Sequence, residues 1–286
     1  MSLPEEPLPA GFDVVFAALL GLLLGSFANV LIHRLPIERS IVWPGSRCPG
    51  CDAAIRWYDN LPLVSWVALR GRCRSCGVAI SPLYPAVEAA AGLLLAGICL
   101  QQGLTLRGAA LSWLAISILA LVPIDQRYGI LPDRITLPGI IAGLAFSIFT
   151  TEPGLRSATI GAAAGGGVPL MIRALYGGYA RLRHGPAPVD PPGDAPVDAD
   201  ASREGMGLGD VKMLAMVGAF LGPASVVLTI VMGSMIGTLV VAPRLILGRL
   251  SHRSPVPFGP FLGVAAVLAL FWGDAIIDWY LVRSGM

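Results

Sequence analysis

Eight apolar runs occupy most of the chain after residue 10, at 12–32, 84–100, 106–124, 135–150, 158–175, 211–221, 226–242 and 261–281. Most approach the ~20 residues that a helix needs to cross ~30 Å of hydrocarbon. With 55% hydrophobic and only 13% charged residues, the composition is that of a membrane protein. No alternation of strand length recurs, so the backbone must satisfy its hydrogen bonds in lipid as helices. The expected fold class is all-α, a polytopic membrane protein with about eight transmembrane helices.

The basic residues set the orientation. Of 20 Lys and Arg, only Lys212 is a lysine. If the first helix runs from outside to inside, sixteen of them fall in inner loops. Arg107, Arg156 and Arg283 fall outside, and Arg173 lies near an inner helix end. The positive-inside rule then puts both termini outside. The net charge of +2 is explained by topology, so no nucleic-acid partner is expected. Glu5 and Glu6 precede the first run without a basic segment, so no cleaved signal peptide is expected.

The division that follows is a first transmembrane helix (1–32), a cytoplasmic cysteine-bearing domain (33–83), and a transmembrane region (84–286) interrupted by a linker near 184–204. The cysteines of the second part form two pairs, "CPGC" and "CRSC", at Cys48, Cys51, Cys73 and Cys76. Two tight knuckles of this kind supply four thiolates to a tetrahedral zinc, and loop length between them costs little. Two disulfides would use the same residues, but the expected cytoplasmic side is reducing. Four cysteines leave no open coordination position, so the zinc would be structural. Cys99 lies in a span and reads as a small packing residue.

The linker is Pro- and Asp-rich with almost no large apolar residue, the composition of a disordered segment. Its aspartates read as solvating charges. The "GAAAGGG" stretch at 161–167 reads as a surface for close helix packing.

Few acids fall at the inner membrane edges, and each needs an account. Asp133 directly precedes the fourth span and suits a helix N-cap. Asp125 ends the third span, where the helix dipole disfavours a carboxylate, so something else must hold it. Asp210 opens a run of only eleven residues, ~16 Å of helix, which recesses it below the membrane surface. An intramembrane acid is a functional candidate. Two such aspartates at one face suit a shared-proton pair, in which one carboxylate activates water and the other polarises a peptide carbonyl. Gly205, Gly207 and Gly209 would let an extended substrate backbone approach Asp210. They also imitate a nucleotide loop, but no strand precedes them.

The motifs "GSFANVLIHRLP" (25–36), the paired CxxC knuckles, "SPLYPAVE" (81–88), "DQRYGILPD" (125–133) and "GMGLGDVKML" (205–214) follow one another over most of the chain. Together they resemble the bacterial type IV prepilin peptidases, which are leader peptidases and N-methyltransferases. The resemblance implies an eight-helix membrane fold in the bacterial inner membrane, with Asp125 and Asp210 as the catalytic pair. The implied substrate is a prepilin or type II pseudopilin, and the implied methyl donor is S-adenosylmethionine, for which no sequence fingerprint is visible.

Other residues carry two readings each. His33 and Arg34 suit substrate or donor binding, and equally a dipole-complementing helix end. Glu88, a carboxylate just inside a span, needs a partner and is a site candidate. Lys212 would favour the ionised form of Asp210, or would snorkel to the interface. Asp274 and Asp278 read as interfacial. A proton-coupled transporter would also use membrane acids, but it should show repeated halves and a midplane site. A zinc-bearing membrane adaptor without enzymatic activity would tolerate loss of either aspartate.

Overall fold

The computed structural model describes residues 11–184, 207–248 and 257–285. Gly205 and the linker beyond residue 184 lie outside the described residues. Among the described residues there is no strand, and each predicted run forms a helix. They are α1 (Phe12–Arg34), α3 (Leu83–Gln102), α4 (Leu106–Tyr128), α5 (Asp133–Phe149), α6 (Gly154–His184), α7 (Leu208–Leu221), α8 (Pro223–Ile246) and α9 (Gly259–Ser284), with the short α2 (Val64–Ala68) in the cysteine loop. Six of these are long and apolar enough to cross a membrane. The two shorter ones are α5, of 17 residues, and α7, of 14.

Glycine and proline set the boundaries. Gly222, at φ 84°, ends α7 in a conformation that side chains disfavour, and Pro223 opens α8 where its missing N–H costs nothing. Pro132 precedes α5 in extended geometry, so Asp133 is the first residue inside that helix and not its N-cap.

The chain divides into two compact units, Met1–Leu119 and Ala120–Met286. In the first, α1 packs on α3 through small residues. A β-carbon on Gly21 would lie 2.5 Å from the Ala91 carbonyl oxygen, and one on Gly25 would lie 2.7 Å from the Glu88 Cα. Lipid tails are as apolar as leucine, so helix association in a bilayer depends on this kind of backbone approach. Cys99 is buried with Ala17 and Leu95, as its packing role requires.

In the second unit the shortest helix is the most enclosed. Every residue of α7 from Asp210 to Phe220 is buried except Lys212. A helix buried on all sides is apolar all round, which is why 211–221 reads as a span despite its length. Glycines let its neighbours come close. Gly139 and Gly143 of α5 face Met216 and Phe220, while Gly161 and Gly165 of α6 face the backbone at Gly218 and Leu214. Three glycines of the "GAAAGGG" stretch, Gly161, Gly165 and Gly166, which faces Ala215, therefore do pack a helix, whereas Gly167 meets nothing within 4 Å. On α9, Asp274 and Asp278 are exposed.

At the contact between α6 and α7, a β-carbon on Gly161 or Gly218 would be driven into the other's backbone, where no rotamer change gives relief. Gly218→Val should therefore cost about 3 kcal/mol, the upper end of ordinary overpacking. Gly167→Val should be near neutral. Unfolding midpoints of the purified variants in detergent check both.

Candidate active site and metal centre

The cysteine loop is built from a nine-residue repeat. Residues 47–55, "RCPGCDAAI", and 72–80, "RCRSCGVAI", fold into the same knuckle twice. In the first, the Cys48 N–H bonds to the Ala53 carbonyl at 3.0 Å and Asp52 N–H to the Cys48 carbonyl at 2.9 Å. In the second, Cys73 N–H bonds to the Val78 carbonyl at 2.9 Å and Gly77 N–H to the Cys73 carbonyl at 3.0 Å. A left-handed residue, Asp52 or Gly77, follows the second cysteine each time and turns the chain back. Isolated bridges, Arg47 with Ala54 and Arg72 with Ala79, close both turns. Arg74, inside the second knuckle, reaches Asp59 through both carboxylate oxygens at 2.7–3.1 Å and holds its carboxyl below the usual range.

The two knuckles face each other. All four sulfurs lie within 4.8 Å of one another, with Cys48 and Cys76 3.7 Å apart, and none is in a disulfide. Tetrahedral ligation at ~2.3 Å per sulfur places neighbouring sulfurs ~3.8 Å apart, so the set fits a metal ion. The thiols also disagree in the way that crowding demands. The backbone N–H groups of Cys76 and Ser75, with help from the Cys48 thiol, lower Cys73 to about 6. Cys51 is raised to about 12: the Ala53 N–H is its largest single influence and lowers it, but hydrogen bonding with Cys76, burial, Cys48 and Cys73 together prevail. Four thiolates at this spacing would need a cation between them.

The candidate residues of the first unit have defined partners. Glu88, buried on α3, accepts the Leu63 N–H at 2.8 Å. It thereby fixes Leu63, at φ 61°, in the left-handed turn that starts α2. His33 stacks on Tyr84 with ring centroids 4.8 Å apart. Arg34 donates to the carbonyls of Ser40 and Gly45 at 2.9 and 3.2 Å, clamping the chain as it leaves α1.

The two aspartates belong to the second unit. Asp125 lies in the last turn of α4, two residues after Pro123, and is 6% exposed. Asp210 lies in the first turn of α7, after an N-cap formed by Gly207, and is 9% exposed. Two contacts tie the start of α7 to the segment that follows Asp125. A β-carbon on Gly209 would lie 2.8 Å from the Leu131 Cβ, and Lys212 Nζ donates to Asp133 Oδ1 at 2.6 Å. Lys212 thus pairs with Asp133, and Gly209 gives its bare side to Leu131. Gly207 stands beside Asp210, with a notional β-carbon 3.7 Å from Oδ2.

Sequence reasoning missed a third element of this site. Gly259, the first residue of α9, faces Asp125, and a β-carbon there would lie 2.5 Å from the carboxylate Oδ2. The available signal was a glycine between Phe258 and Pro260, in "PFGPF", at a helix start that has no need of one.

Residues 19–102 match the Bacterial Peptidase A24 N-terminal domain, and residues 110–242 match the type IV leader peptidase family. Among curated relatives, a prepilin leader peptidase/N-methyltransferase of Stutzerimonas stutzeri is 36% identical over 94% of this chain and 93% of its own. Proteins of the same name from Aeromonas salmonicida and Pseudomonas aeruginosa are 37% and 35% identical, covering 94% and 95% of this chain and 94% of each relative. No solved structure matches. The cysteine loop lies within the first match and both aspartates within the second, and identity of this level runs almost end to end: the chain is an enzyme that belongs to the type IV leader peptidase family.

Proposed function

We propose that this chain removes the leader peptide from type IV prepilins or type II pseudopilins at the cytoplasmic face of the bacterial inner membrane, with Asp125 and Asp210 as the catalytic pair. The observation that carries the proposal is the placing of α7. Gly209 on Leu131 and Lys212 on Asp133 anchor the start of this helix to the loop that leaves Asp125. Two buried acids are thereby drawn toward one end of the unit.

In the reaction, an ionised carboxylate takes a proton from water as the oxygen attacks the scissile carbonyl carbon. The protonated partner gives its proton to the carbonyl oxygen, forming a tetrahedral diol. Collapse breaks the C–N bond, returns a proton to the pair and sends one to the departing nitrogen. The leader leaves with a new carboxylate and the pilin with a new amine. Two close carboxylates share a proton because both cannot ionise side by side. The substrate must be unwound at the cut, since a helix hides its carbonyls in its own hydrogen bonds. Gly207, without a side chain beside Asp210, leaves room for that extended segment.

The relatives' name, which includes N-methyltransferase, supports methylation of the new amine; S-adenosylmethionine is the donor that the family resemblance implies, and no residue of this chain is assigned to it. The four cysteines are assigned one structural zinc, which closes the two knuckles and supplies no reactive water. Domain 33–83 is then the zinc-bearing insertion.

Asp125→Asn and Asp210→Asn keep size and remove acid–base capacity, so each should lower leader cleavage by at least ~10²-fold. Mass analysis of a prepilin incubated with each purified variant checks this. Wild-type rates in either would refute the pair.

Protein purified under reducing conditions should carry about one zinc per chain. Cys48→Ser or Cys73→Ser should lose it and destabilise residues 48–76 while the Asp pair keeps its chemistry. Elemental analysis and limited proteolysis provide the readout, and metal-free wild-type protein with disulfides in this loop would contradict the assignment.

Topology is checked by single cysteines at Gln126 and Gly207 in a background without the native five. Both should react with an impermeant reagent only from the cytoplasmic side. Labelling from the periplasm of intact cells would reverse the topology.

A further inference from the structure

Asp125 lies where its own helix disfavours it, at the negative end of the α4 dipole. The surface that meets its carboxylate is the first turn of α9. A β-carbon on Gly259 would lie 2.5 Å from Asp125 Oδ2, 2.9 Å from Cγ and 3.4 Å from Cβ. The carboxylate therefore rests over the bare Cα of Gly259, toward the positive end of a second helix.

Backbone conformation does not explain the glycine. Gly259 is not among the positive-φ residues, and it occupies a helical position that alanine fills better. Nor can the wall retreat. The Phe258 carbonyl accepts both the Phe261 and Leu262 N–H groups, at 3.1 and 3.2 Å, and Pro260 fixes φ at the second position. Leu262 is fully buried and lies against Gly233 of α8, where a β-carbon would come within 3.0 Å of its Cδ2. A side chain added at 259 must be accommodated by movement of the Asp125 carboxylate.

We infer that Gly259 is a positioning residue for Asp125: its missing side chain leaves the space in which that carboxylate is held and aimed. The inference rests on the reading of Asp125 as catalytic. It assigns the N-terminal turn of α9 a part in the reaction without contact to substrate.

The test uses the full-length protein with a prepilin substrate. Gly259→Ala should lower kcat on the order of 10²-fold, as a misplaced catalytic group does, with KM unchanged. A thermodynamic cycle gives a second readout that does not need activity. Gly259→Ala should lower the unfolding midpoint when Asp125 is present, and should leave it unchanged or raise it in an Asp125→Ala background, where the clash is gone. If Gly259→Ala alone does not fold, its recovery in that background still supports the inference. Wild-type kcat in Gly259→Ala, with Asp125→Asn inactive, would overturn the positioning role and leave the aspartate pair standing. Equal destabilisation with and without Asp125 would overturn it too, by showing that glycine serves α9 alone. Full activity of Asp125→Asn would overturn the catalytic reading and the positioning role together.

Discussion

Backbone-to-backbone approach at glycine is the constraint on which the second unit depends. A bilayer supplies no hydrophobic force between helices, so dispersion across close interfaces must hold them. Gly161 against Gly218, Gly165 against Leu214, and Gly139 and Gly143 against Met216 and Phe220 surround α7 with such interfaces. The helix is only 14 residues long, about 21 Å. With its flanks fixed, its first turn has a fixed place, and that turn carries Asp210. Gly209 on Leu131 and the ion pair of Lys212 with Asp133 complete the anchorage on the side of Asp125. A glycine-lined socket of this kind holds the first turn of α7, and with it Asp210, against rearrangement.

The cysteine loop solves a different problem. Residues 47–80 bury little of their apolar surface, with Trp57, Val64 and Val67 exposed, so burial alone does not hold the loop in one shape. Its order comes from two copies of one knuckle whose turns are set by Asp52 and Gly77, from the grip of Arg74 on Asp59, and from the bond between Glu88 and the Leu63 N–H. The carboxylate of Glu88 is thus spent on the entry to α2, which gives a buried acid on α3 a structural reason to exist.

What was legible in the sequence, and what was not, follows from the range of the forces involved. The eight helices were legible because hydropathy and length are properties of a contiguous segment. The four cysteines were legible because ligand type and spacing are local, and the nine-residue repeat around them is written in the same letters. That 211–221 is the most enclosed helix was not legible, since an apolar side chain serves equally well against lipid and against protein. The ion pair of Lys212 was not legible for a similar reason: Asp210 is its neighbour in sequence, whereas Asp133, to which it donates, comes from a segment far earlier in the chain. Asp133 itself suited an N-cap by position, but Pro132 takes that place and leaves the carboxylate for the lysine. Gly259 was invisible as part of a site because its meaning depends on Asp125, which comes from a helix far earlier in the chain.

If Asp125 and Asp210 act as the proposed proton-sharing pair on a single tetrahedral centre, a non-hydrolysable mimic of that centre should engage both. A prepilin-derived peptide whose scissile amide is replaced by a hydroxyethylene group presents one hydroxyl where the diol would form. Its Kd should be at least ~10²-fold below that of the parent peptide on the wild-type enzyme, as for transition-state mimics in general. That advantage should vanish in Asp125→Asn and in Asp210→Asn alike. An advantage that survives loss of either aspartate would contradict the shared pair.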